Sequence, residues 1–345
     1  MAFFESAQKK ILNGLLAFEP VIRFNSIKGF DAEFYGAISE YPKLVYYIDR
    51  YSYSYRGTSY ELNVTYQNKD VPRREIYEIE TLEEGVMKLC EKVSEYAEKI
   101  VFVTTNPSEM SRVANLFVEK HGSFYPHFMT VFTQYSTLDN HTYIYEYTIK
   151  YRVKVAALDK MEEEVDAEVD RLCSQMFLPG MPNEAKIYLA HNYLATTVDY
   201  ENKGATDMER TCTQSAYGAL IQHHCVCQGF AEAFKRIMDH ECISCDVISG
   251  VILENGERHA WNIVSLRGGA RAHVDTTWDI SNSRPNYDYF CKPDSLFAGK
   301  RKWEKSHYPK CNTLSYDVIR EARKYLYFYK NTLVRKGVSL KVIDC

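Results

Sequence analysis

The chain lacks an excess of basic charge: 42 Lys and Arg face 46 Asp and Glu, for a formal net charge of −4 over 345 residues. It therefore offers no cationic field for nucleic acid and no strong attraction to anionic lipid. It also lacks any apolar run approaching the roughly 18 residues that a membrane-spanning helix needs. The opening MAFFESAQKKILNGLLAFEP has only a short apolar run after Lys9–Lys10, Glu5 ahead of that pair, and no small-residue cleavage site. It reads as a short amphipathic helix rather than a secretion signal, and a cytoplasmic protein is expected. The ten cysteines lack the regular spacing of a disulfide framework, and a chain of this size needs no such staples. Free thiols are expected, several of them buried. Repeats and low-complexity tracts are absent as well.

What is present is an ordinary globular composition, 46% hydrophobic, with 28 tyrosines among its aromatics. The length predicts two domains. In the first half, Tyr51–Tyr55 and Tyr60–Tyr66 alternate around Arg56-Gly57-Thr58, a hairpin signal. Residues 143–155 alternate over a longer stretch, with Tyr143, Tyr145, Tyr147, Ile149, Tyr151, Val153 and Val155 on one face. Such Tyr rows read as a half-buried sheet face, with an aromatic ligand surface as the other possibility. Composition shifts near residue 156, where an acidic helix begins. The predicted domains are therefore 1–156, a mixed α+β domain of unassigned role, and 157–345. In the second, Asn183 opens a helix to about Thr197 and a last helix covers about 316–334.

Chemistry concentrates between residues 212 and 280. Cys227 stands where Ala231–Met238 starts a helix with an apolar face. A helix N-terminus favours thiolate over thiol and presents unpaired backbone N–H groups. Two strands joined by a turn at Arg267-Gly-Gly269 follow, Arg258–Leu266 and Ala270–Trp278. They carry His259 and Asp275 near one another. A thiol needs a base to become a nucleophile at neutral pH, and an imidazole can then protonate a leaving amine. A carboxylate on the far ring nitrogen orients that imidazole. Helix-start N–H donors suit the oxyanion formed on attack. Around this set, Gln228, Gly229, Tyr217 and Trp261 are candidate substrate-binding or oxyanion residues. Gly229 would let backbone approach a ligand.

The stretches CQGFAEAF, RHAWNIV and AHVDTTWD resemble the transglutaminase-like core, in that order along the chain. The resemblance covers roughly residues 183–310 and places the family's catalytic triad on Cys227, His259 and Asp275. It implies an α+β fold, a papain-like core of helices against an antiparallel sheet, behind the N-terminal mixed domain. It further implies acyl transfer at amide or peptide carbonyls of a protein or peptide substrate, with no cofactor. One departure is Cys225, where such members often carry Gly.

Several readings compete at individual residues. Cys225 is a rival nucleophile. His223-His-Cys-x-Cys and Cys242-Ile-Ser-Cys245 have zinc-like and redox-like spacings. Neither has a second pair at zinc spacing, and Cys242–Cys245 leads into a strand rather than opening a helix. His273 reads as a packed strand histidine, Trp261 and Trp278 as core, with a wall of the cleft beside His259 as the other possibility for Trp261, and Asp279 as a turn carboxylate. The motifs leave hydrolysis and amine transfer both open, with a peptidase or amidase slightly favoured over a protein-glutamine transglutaminase. A non-catalytic binding or scaffold protein built on the same core is the alternative of another class. Neither substrate identity nor oligomeric state is encoded.

Overall fold

The alternating stretches of the first half become two sheets in the computed structural model, which describes residues 6–121, 125, 127–138, 141–201, 206–281 and 284–344. The chain divides into two units, Met1–Tyr151 and Arg152–Cys345. The first opens with α1 (Ala7–Leu16), β1 (Val21–Asn25), α2 (Phe30–Glu40), β2 (Ile48–Arg56) and β3 (Ser59–Tyr66). β3 lies between β1 and β2, antiparallel to both. The β2–β3 turn uses Gly57 at φ +61°, a backbone state that side chains disfavour.

The rest of this unit is β4 (Ile76–Glu78), α3 (Leu82–Ser94), β5 (Lys99–Thr104), α4 (Pro107–Lys120), β6 (Phe128–Thr137) and β7 (Tyr143–Tyr151). Its sheet runs β4-β5-β7-β6. Tyr145, Tyr147 and Ile149 pack with Phe102 of β5 and with Val86, Leu89 and Phe117 of the two helices. The tyrosine row is therefore a covered sheet face. The strand stops at Tyr151, however, and does not continue through Val155. From there Leu158, Val165, Val169, Leu172 and Met176 recur at helical spacing and are buried, so the segment coils instead.

The second unit begins with that helix, α5 (Val155–Met176), then α6 (Asn183–Thr197), β8 (Asp199–Tyr200) and α7 (Asp207–Thr213). A π-helical turn, Gly218–Gln222, precedes β9 (His224–Cys225) and α8 (Cys227–His240). β10 (Cys245–Ile252), β11 (Arg258–Ser265), β12 (Arg271–Val274), α9 (Asp294–Phe297), β13 (Arg301–Lys302), α10 (Ser315–Arg335) and α11 (Leu340–Ile343) complete it. The sheet order is β12-β11-β10-β13, antiparallel throughout. Helices pack against this sheet, and the fold is α+β. The core joins Phe230, Phe234, Ile237 and Met238 of α8 to Val264 of β11 and Val274 of β12. Asn262 of β11 ties the layers together by donating Nδ2 to the Ala231 carbonyl at 2.9 Å.

Candidate active site

Cys227 is the first residue of α8, and the preceding Val226 supplies no side-chain cap. The first-turn N–H groups thus lack the partner that a Ser, Thr or Asp cap would provide. The helix starts here because Val226 is extended (φ −94°, ψ 178°) and the Phe230, Phe234, Ile237 and Met238 stripe then drives burial. Cys227 is partly exposed, whereas Cys225, two residues earlier in β9, is fully buried. Burial pushes the Cys225 thiol up, and the neighbouring Cys227 adds to this. A buried, hard-to-ionise sulfur is a poor nucleophile.

His259 lies near the start of β11, with only 4% of its side chain exposed. Its Nε2 is 2.8 Å from Asp275 Oδ2. The other ring nitrogen, Nδ1, is the one left for Cys227, which also hydrogen-bonds to this ring. Burial opposes the charged ring. The pull and hydrogen bond of Asp275, helped by Cys227, outweigh it and raise His259 to about 9.

Asp275 is wholly buried and lies one residue past the end of β12, before a 3₁₀ turn, Thr276–Asp279. The strand expected through Trp278 stops at Val274. The turn ends it early, so Asp275 leaves the sheet ladder and approaches His259 from the strand end. A third group completes the cluster: Arg301 of β13, 2% exposed, donates from Nη2 to the same Oδ2 at 3.0 Å. Nothing in the local pattern around Arg301 marks it, since a two-residue edge strand has no periodicity. Only the β10–β13 pairing of Ile252 with Arg301 brings it here.

The flanking candidates fare differently. Gln228 donates to Glu232 Oε1 at 2.9 Å, along the helix. Gly229 has a packing role rather than a ligand-facing one: a Cβ there would lie 2.7 Å from Cys225 Cβ and 2.9 Å from the Ser215 carbonyl oxygen. The Tyr217 hydroxyl is committed to Glu164 Oε2 at 2.9 Å. Trp261 is 1% exposed and cannot line an open cleft. Its indole N–H donates to His273 Nδ1 at 3.0 Å, while its ring stacks 6.1 Å from His259. Trp278, expected in the core, is instead 37% exposed and stands edge-on to His259 at 6.3 Å. Tyr200 of β8, 52% exposed and within electrostatic reach of Cys227 and Glu257, is a further neighbour that no motif announced.

Asp279 is more than a turn carboxylate. It is fully buried, accepts the Tyr289 N–H at 3.0 Å and bonds His191 Nε2 at 3.1 Å. His273 is a packed strand histidine, bonded through Nε2 to Asp294 at 2.9 Å. His273, Asp294 and Cys311 lie close enough to suggest a metal site. The set does not fit one. Trp261 can only donate, so His273 Nδ1 accepts and the remaining proton sits on Nε2, the nitrogen a metal would need. In the other such cluster, Cys173, His240 and Glu241, the Lys186 ammonium already occupies Glu241 Oε2 at 2.6 Å. Cys242 and Cys245 are both free thiols.

No protein-family model and no curated protein matches the chain. Among solved structures, it is similar to a candidate cysteine protease from Cytophaga hutchinsonii, with 15% identity and a TM-score of 0.28, over 44% of this chain and 66% of that one. It is also similar to a protein described as a TGase, with 12% identity and a TM-score of 0.29, over 62% of this chain and 56% of that one. The chain thus spans less than two thirds of either protein. Among the described residues, no helix is long and apolar enough to cross a membrane.

Proposed function

We propose that the second unit is a thiol-dependent acyl-transfer enzyme acting on amide or peptide carbonyls of protein or peptide substrates, with Cys227, His259 and Asp275 as its catalytic residues. The observation that carries this reading is one imidazole bridging two groups: Asp275 on Nε2 at 2.8 Å, and Cys227, at an uncapped helix start, on the other side. In the first step the Cys227 sulfur attacks the carbonyl carbon, and the S–C bond forms. Negative charge moves to the carbonyl oxygen, where first-turn N–H groups of α8 can receive it. His259 gives its proton to the amine as the C–N bond breaks, leaving a thioester. His259 then takes a proton from water or from an incoming amine, which attacks the thioester and frees the thiol group. Water gives hydrolysis and an amine gives transamidation. Hydrolysis is the favoured outcome.

Alkylation tests the reading. Iodoacetamide at about pH 6, followed by intact mass, should modify wild type quickly at one site. Cys227→Ala should remove that adduct, and His259→Ala should slow it at least about tenfold by removing the paired cation. Labelling of Cys227 no faster than other thiols, or unchanged by His259→Ala, would refute catalysis and favour a binding or scaffold role.

A further inference from the structure

We propose that Arg301 is a positioning residue of this site: its buried guanidinium fixes the Asp275 carboxylate and, as a second counter-ion to it, limits how tightly His259 holds its proton. The inference rests on the triad reading above. Three segments of one sheet, β13 separated from β11 by β10, meet at a single oxygen. β11 brings His259, the end of β12 brings Asp275 and β13 brings Arg301. Asp275 Oδ2 accepts from His259 at 2.8 Å and from Arg301 at 3.0 Å.

Burying a guanidinium is costly unless its charge is answered. Here, among the described residues, the answer is the Asp275 carboxylate. The guanidinium also lies over the Trp278 ring at 4.3 Å and the Tyr289 ring at 5.1 Å, and Nη1 reaches the Lys300 carbonyl at 3.3 Å. Trp278 is the aromatic edge-on to His259. Arg301 therefore touches both the group that orients the imidazole and the ring that stands beside it. The hydrogen bond runs through Nη2, and among the described residues the buried Asp275 Oδ1 and Arg301 Nε have no hydrogen-bond partner. A purely structural pair would be better served by the two-pronged geometry that guanidinium and carboxylate favour.

The charge balance follows. Cys227 of α8 faces the ring from the other side. Asp279 and His273 lie within electrostatic reach of Asp275 and are answered by His191 and Asp294. Asp275 has one negative charge to share between Arg301 and a protonated His259. Without Arg301, the imidazolium becomes the sole cation on that carboxylate and is held more tightly. A like charge removed at this range corresponds to about one pH unit or more.

The test uses the full chain with ¹⁵N-labelled histidine. The His259 ring signals, assigned by their loss in His259→Gln, are followed from about pH 6 to 10. Arg301→Gln should raise the His259 midpoint by about one unit while far-ultraviolet circular dichroism stays unchanged. Arg301→Lys, which keeps the charge, should return it toward the wild-type value. Should Arg301→Gln not fold, Arg301→Met, which keeps an apolar stem, replaces it with the same expected rise. A folded charge-removing variant with an unmoved midpoint overturns the proposal. Failure of the triad reading looks different: His259 of wild type would titrate near 6.5 and Cys227 would not label at pH 6, whatever stands at position 301.

Discussion

Raising the pH through the titration of His259 should destabilise the second unit, and replacing Asp275 should abolish that dependence. His259 is raised from the ordinary 6.5 to about 9 with its side chain 4% exposed, so solvent screening removes little of the effect. At about 1.36 kcal/mol per unit, the protonated ring contributes on the order of 3 kcal/mol to the folded state. A group raised on folding contributes fully below its unfolded value. Its stabilisation is therefore complete below about 6.5 and lost progressively up to about 9. Asp275→Asn removes the main attraction and leaves burial, the largest single cause and opposed to protonation, against the smaller pull of Cys227, so this slope should vanish. The variant also strands the buried Arg301, a loss of roughly 3–5 kcal/mol that does not vary across this pH range. One effect is thus an offset and the other a slope. All three tryptophans, Trp261, Trp278 and Trp303, lie in the second unit, so urea unfolding followed by tryptophan fluorescence reports on it selectively. Measured at intervals from about pH 6 to 9.5, wild type should lose ~3 kcal/mol more than Asp275→Asn does. Parallel curves for the two proteins would refute the coupling of His259 to Asp275.

Two further outcomes are expected. Gly229→Ala places a methyl group against Cys225 Cβ and the Ser215 carbonyl oxygen, and should cost roughly 1–3 kcal/mol in urea unfolding; a neutral result would mean that the start of α8 yields easily. Trp261→Phe deletes the N–H that His273 Nδ1 accepts and should cost about 1–3 kcal/mol without altering the rate of Cys227 alkylation at pH 6. A large loss of that rate would make Trp261 part of the reactive site after all.

Periodicity made the sheet of tyrosines readable, because Tyr145, Tyr147 and Ile149 must share one side of a pleated strand. It failed at residues 153–155, where a short alternating tail met a long helical stripe. It failed again at Asp275, where a 3₁₀ turn interrupted an apolar-looking strand. Trp261 and Trp278 show a further limit. Each is a Trp in the same motif region, yet one is buried and the other exposed. Hydrophobicity cannot separate them; the position of each along a strand or turn can.

The residue types and their order along the chain are enough to specify a cysteine at a helix start, a histidine on a strand and a carboxylate beyond the next turn. Those are local facts, set by caps, period and turn chemistry. Which ring nitrogen meets which partner was decided only by tertiary structure, because antiparallel pairing determines what lies beside His259. The same holds for Arg301, brought by a two-residue edge strand to an oxygen 26 positions away in sequence. Long-range ion pairs of this kind leave no local pattern, since their energy depends on burial and distance rather than on neighbours in the chain.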